Sequence, residues 1–165
     1  MGNIFAGSEI VEIGIQIEKN GRDFYNTLFN NSNSAKAKEI YKYLAKEEEK
    51  HIATFQKIFD SVEKYEPAEA YPEEYFAYMN ALASGYVFTQ KERGEKVAEG
   101  IKSDKEAVEM GIGFEKDSIV FYEGMKRMVP ECDQKILHEL IAQEESHLVQ
   151  LTKLKEGIII LGRRV

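Results

Sequence analysis

Apolar residues recur along four stretches of the chain at alternating steps of three and four, the spacing of one buried stripe on a bundled α-helix. The first stripe runs Val11, Gly14, Glu18, Gly21, Tyr25 and Leu28, and the second Ala37, Tyr41, Leu44, Glu48, His51, Phe55, Ile58 and Val62. The third is Val108, Gly111, Glu115, Ser118, Tyr122 and Met125, and the fourth Leu137, Leu140, Glu144, His147, Leu151, Leu154 and Ile158. Ser8 is a candidate N-cap for a first helix over 9–29, and the polar run from Asn30 to Ser34 predicts a turn. Ser34 or Ala35 opens the second helix, which reaches about Tyr65. Ser103 and Glu106 have the spacing of a capping box and open a third helix, which stops at Pro130. The fourth begins at Glu131 or Cys132 and runs to about Glu156. The stretch between helices two and three is too long for a simple loop. Pro67 and Pro72 break it, Glu73 to Ser84 predicts a short amphipathic helix carrying Tyr75, Phe76, Met79 and Leu82, and a further helical piece covers Val87 to Ile101.

The four stripes are two pairs. Every member of the third stripe lies 97 residues after its counterpart in the first, so Glu18 matches Glu115 and Tyr25 matches Tyr122. Glu48-x-x-His51 recurs as Glu144-x-x-His147, 96 residues on. The chain is an internal duplication of an antiparallel helical hairpin. Two copies are too few for a solenoid, which leaves two hairpins closing on each other as the expected all-α architecture, joined by a long, partly helical crossover.

Six polar residues interrupt stripes that are otherwise apolar or small. Burying four carboxylates and two imidazoles without partners costs several kcal/mol per charge or forces protonation, and no Lys or Arg shares the seam near them. Two divalent cations would cancel four carboxylates, and the imidazoles would complete the coordination. Mixed oxygen and imidazole donors suit Fe, Mn or Zn better than Ca or Mg. The small residues Gly14, Gly21, Gly111 and Ser118 are expected to leave room beside the ligands for metal, a small oxidant, or both.

On Glu18, Glu48-x-x-His51, Glu115 and Glu144-x-x-His147, over nearly its whole length, the sequence resembles the rubrerythrin group of ferritin-like di-iron carboxylate proteins. The resemblance implies a ferritin-like four-helix bundle holding two iron ions, with Mn or Zn as alternatives. It casts Glu48 and Glu144 as bridging carboxylates, Glu18 and Glu115 as terminal ones, His51 and His147 as imidazole ligands, and Tyr25 and Tyr122 as hydrogen-bonding tyrosines around the site. It further implies a non-haem di-iron oxidoreductase that reduces hydrogen peroxide or dioxygen. The alternatives are a ferroxidase that stores iron and a non-catalytic metal-binding bundle. Rubrerythrins carry a further Glu three residues along the third helix, which takes part in redox-dependent metal movement; Ser118 stands there in this chain. They also carry a rubredoxin domain with paired Cys-x-x-Cys knuckles, whereas this chain has one cysteine, Cys132. The expected electron donor is therefore a separate carrier such as rubredoxin.

At 165 residues and 43% hydrophobic content the chain suffices for one domain over 1–165 with a sizeable core. A net charge of −7 without a basic stripe argues against nucleic-acid binding. No apolar run is long enough to span a membrane, and a lone cysteine fits a reducing compartment, so a cytoplasmic location is expected. Glu47, Glu49, Glu109, Glu123 and Glu145 lie off the seam and are expected to be solvated, and His138, one step off the seam, is expected at the surface or behind a ligand rather than as a ligand itself. A homodimer is the expected assembly, and the long crossover would permit hairpins to be exchanged between its chains.

Overall fold

The computed structural model describes residues 7–64, 73–127, 129 and 131–162. Among these residues six α-helices follow one another: α1 (Gly7–Asn31), α2 (Ala35–Lys64), α3 (Glu73–Gly85), α4 (Gly94–Glu99), α5 (Asp104–Met125) and α6 (Glu131–Gly162), with a 3-10 turn at Val87–Thr89. No strand occurs among the described residues. Pro67, Pro72, Pro130 and the basic end Arg163-Arg164-Val165 lie outside them.

The caps set the bundle's corners. Ser34 Oγ accepts the Ala37 N–H at 3.2 Å and so starts α2 after the three-residue turn. Ser103, in extended backbone, accepts from Glu106 N at 3.2 Å, while the Glu106 carboxylate reaches back to Lys102 N at 3.0 Å. Both caps satisfy N–H groups that a helix start leaves unpaired. Helix α5 ends at Met125, short of Pro130. Helix α6 continues past Glu156 to Gly162, because the apolar run from Ile158 carries its pattern on.

α1 packs along α2 and α5 along α6, and the two hairpins close through α1 on α5 and α2 on α6. Every stripe position predicted from the sequence is buried except Ile158, which is half-buried. The stripes therefore meet in one core, with the six polar residues at its centre.

The crossover differs most from expectation. The continuous piece expected over Val87–Ile101 is split into the 3-10 turn and the six-residue α4. Asn20 of α1 is the cause. Its buried side chain donates to the carbonyls of Phe88 and Gln90, both at 2.6 Å, and accepts from Arg93 N at 2.9 Å and Gly94 N at 3.0 Å. These bonds use backbone groups that a continuous helix would need for itself. At Gly94 a Cβ would fall 2.0 Å from the Asn20 carbonyl, so only glycine permits the approach. The stapled segment lays Phe88 against Phe24 and Phe114 and brings Tyr86 into the core.

Candidate metal centre

Glu18 comes from the middle of α1, Glu48 and His51 from α2, Glu115 from α5, and Glu144 and His147 from α6. None is more than 4% exposed. All six expected residues meet in one cluster, which resolves into two overlapping quartets. Glu18, Glu48, His51 and Glu144 each offer a donor atom within 4.8 Å of the others, and so do Glu48, Glu115, Glu144 and His147. Glu48 and Glu144 belong to both sets, and each remaining residue belongs to one.

Both imidazoles turn Nδ1 inward. His51 Nδ1 lies 2.8 Å from Glu144, 3.3 Å from Glu18 and 3.3 Å from Glu48. His147 Nδ1 lies 3.1 Å from Glu144, 3.7 Å from Glu48 and 3.9 Å from Glu115. The rings stack with centroids 5.5 Å apart. Glu144 Oε1 is buried without an aligned hydrogen bond, although His51 Nδ1 is its near neighbour.

The electrostatics show how ill-suited these groups are to one another alone. Burial pushes the Glu48 carboxyl well up, helped by the charges of Glu144 and Glu18. Burial and Glu144 do the same to Glu115, and burial and Glu18 raise Glu144. Burial also works against Glu18, but a hydrogen bond from Glu48 and the His51 charge outweigh it and hold Glu18 below its ordinary value. For His51 burial opposes the charge, yet Glu18 and the contacts with Glu144 and Glu48 raise it far above the usual imidazole range. Burial and the His51 charge keep His147 below that range, against the pull of Glu115. Folding thus favours a Glu18–His51 ion pair and pushes Glu48, Glu115 and Glu144 toward keeping their protons. Two divalent cations fit this donor set, since they would replace those protons with charges that four carboxylates balance.

The tyrosines are placed by the duplication, but crosswise. Tyr25 of the first hairpin donates to Glu115 of the second, and Tyr122 of the second donates to Glu18 of the first. Burial raises both phenols well above their ordinary value, with Glu115 and Glu18 adding to the effect. Each stays protonated and holds one oxygen of a carboxylate that belongs to a single quartet.

The small residues do not leave the open room expected of them. A Cβ at Gly14 would meet Phe55 at 3.2 Å; at Gly21 it would meet the Glu48 side chain at 3.4 Å, and at Gly111 Leu151 at 3.3 Å and the Tyr25 hydroxyl at 3.4 Å. They let these side chains, Glu48 and Tyr25 included, lie close to the helix backbone. Ser118 is likewise engaged, its Oγ 2.8 Å from the buried Tyr86 hydroxyl, which also reaches the Phe114 carbonyl at 3.1 Å.

Glu49, Glu109, Glu123 and Glu145 are exposed as expected, and His138 is exposed with Nδ1 on the Gln134 carbonyl at 2.8 Å. Glu47 is not solvated in the same way, since only 13% of its side chain is exposed. Two further residues at the site were not foreseen from the sequence. Tyr86 lies on no helical stripe and carried no signal. Gln143 accepts from His51 Nε2 at 2.9 Å, and its signal was its place one residue before Glu144 on the adjoining stripe.

A family model described as rubrerythrin matches residues 9–155. A solved structure described as a ferritin-like diiron-carboxylate protein from Thermotoga maritima is similar over 94% of this chain and 98% of its own, at 25% identity and a TM-score of 0.65. No curated protein sequence matches the chain. No helix among the described residues is long and apolar enough to cross a membrane.

Proposed function

This chain belongs to the rubrerythrin family, and on that premise we propose that it is a di-iron oxidoreductase that reduces hydrogen peroxide or dioxygen with electrons from an external carrier. The observation that carries the reading is the pair of quartets sharing Glu48 and Glu144. Two buried donor sets with two carboxylates in common are what a dinuclear centre requires, with Glu18 and His51 completing one position and Glu115 and His147 the other. Iron bound there would supply electrons in pairs, and each peroxide would take up two electrons and two protons and leave as two waters.

The chain's own contribution is restraint and shielding. Tyr25 and Tyr122 each tie one oxygen of a terminal carboxylate, which leaves the second free to act as a ligand. Phe55 packs on Tyr122 with ring centroids 4.8 Å apart, and the cluster itself is buried, so bulk water is kept from it. In such a setting carboxylates favour the more highly charged oxidised metal, because charge interactions strengthen as the dielectric falls.

The test is anaerobic loading with ferrous iron followed by peroxide or air, read by the near-ultraviolet absorption of the oxidised centre. Oxidation faster with peroxide than with air, reversed by a reduced carrier, supports the peroxidase form. Faster oxidation by air without further iron uptake supports the oxidase form. Uptake far beyond two irons per chain would replace the reading with iron storage, and an oxidation signal absent under both oxidants would overturn redox turnover.

A further inference from the structure

The duplication puts different neighbours on the two imidazoles. His51 Nε2 meets the Gln143 amide oxygen at 2.9 Å. Against His147 stands an aromatic ring instead, Tyr43 of α2, set edge-on with centroids 6.2 Å apart. Tyr43 is 43% exposed and His147 only 1%, so one ring reaches from solvent to a buried imidazole of the cluster. The other strongly exposed tyrosine, Tyr78, lies on α3 beside Gly124 of α5. The surface around Tyr43 is more basic than the chain as a whole. Lys46 and Lys50 follow it at three and seven residues, on its own helical face, and both are exposed. Lys36, seven residues before it, reaches over α6, its Nζ 3.6 Å from where a Cβ at Gly157 would lie. Glu39 and Glu47 share the face, and Lys50 holds Glu47 at 2.6 Å. Three lysines against two carboxylates leave a positive patch on a chain of net charge −7. At the 96-residue offset, Lys36, Tyr43, Lys46 and Lys50 are matched by Cys132, Glu139, Ala142 and Ser146, so the ring and its lysines belong to one copy alone.

Electron tunnelling weakens steeply with distance, and less steeply through packed atoms than across a gap. A ring in contact with both solvent and His147 therefore shortens the way to the cluster. Tyrosine also suits a contact patch, because its ring is apolar and its tip polar. We propose that Tyr43 and the lysines beside it form the docking and electron-entry face for a small, acidic one-electron carrier. The proposal rests on the redox reading of the cluster. Each docking passes one electron and oxidises one carrier, and two such transfers supply the two electrons that each peroxide takes up. Tyr43 is a conduit and is left unchanged.

The experiment oxidises the iron-loaded, full-length chain and follows its reduction by stopped flow, once with a reduced rubredoxin of net negative charge and once with dithionite. Calorimetry with the oxidised rubredoxin measures docking separately. Tyr43→Leu should slow reduction by the carrier severalfold and leave reduction by dithionite unchanged, and Tyr43→Phe should restore the wild-type rate. Lys46→Glu should weaken carrier binding severalfold, and added salt should weaken it in the wild type, because the attraction is between exposed charges. Tyr78→Leu should change neither rate nor binding. No carrier reduction in the wild type, equal carrier rates in wild type and Tyr43→Leu, or a loss shared by dithionite would overturn the proposal. Binding indifferent to Lys46→Glu and to salt would do the same. A dimer that Tyr43→Leu splits would assign the face to a second copy of the chain and so overturn it. An iron-loaded chain that neither oxidises nor accepts electrons from dithionite would instead overturn the redox reading and the proposal with it.

Discussion

The Tyr25 hydroxyl donates to the Glu115 carboxylate, a bond from α1 of one hairpin to α5 of the other, both groups fully buried. Its duplicate, Tyr122 to Glu18, runs back the other way. The tyrosines therefore join the hairpins at the depth of the cluster as well as orienting its carboxylates.

In the metal-loaded protein, where both carboxylates would be ionised, Tyr25→Phe and Tyr122→Phe should each destabilise the fold by about 1.5–3 kcal/mol, the range for losing a buried hydrogen bond to a charged group. Urea denaturation measures this. Near-equal losses are expected from the crosswise symmetry, and a change below about 0.5 kcal/mol for either would show that the bond contributes little.

Asn20 and Gly94 should prove sensitive to substitution, although both lie outside the Glu/His cluster. Asn20→Ala leaves two carbonyls and two N–H groups of the crossover without their partner and should cost about 3 kcal/mol. Gly94→Ala forces a Cβ against the Asn20 carbonyl and should cost about 2 kcal/mol or more. Denaturation midpoints that match wild type in both variants would contradict the staple.

Stability of the chelated protein should fall as pH rises from about 7 to 9. The groups that decide this window are those that folding raises well beyond their ordinary range, namely Glu48, Glu115 and His51. For each, the folded state holds a proton that the unfolded chain has already released, so stability drains away with increasing pH. Glu18 and His147, shifted downward, act only at lower pH and do not offset the loss. Thermal melts with chelator should show the decline, and melts with divalent metal should not. A chelated protein that gains stability over this window would contradict the upward shifts of these three groups.

Metal loading at neutral pH should release at least about two protons per chain, drawn from Glu48, Glu115 and His51, the groups that folding raises furthest. A pH indicator in weak buffer reports the count. Release of fewer than about two would mean that the carboxylates are already ionised before metal arrives.

Much of the bundle was legible in the residue pattern. A three-and-four periodicity interrupted at matching places by Glu and Glu-x-x-His identified the helices, their pairing and all six cluster residues, because burial and chemistry there are both set by local spacing. The crossover was less legible. Its short elements are shaped by Asn20, about 70 residues away in sequence, and no periodicity records such a bond. Gly21 and Gly111 signalled close packing but could not reveal that Glu48 and Tyr25 fill the space. Helical phase places Tyr43 off the seam, and only the packing of α2 on α6 shows that its ring meets His147.

The central claim, two metals sharing Glu48 and Glu144, is tested most directly by counting metal. Wild type and Glu145→Ala, loaded anaerobically with ferrous iron and desalted, should each retain about two ions per chain, and Glu144→Ala should retain fewer than about one. Glu18→Ala should keep close to one, since Glu18 belongs to a single quartet. Equal retention in Glu144→Ala and Glu145→Ala would contradict the shared-carboxylate centre.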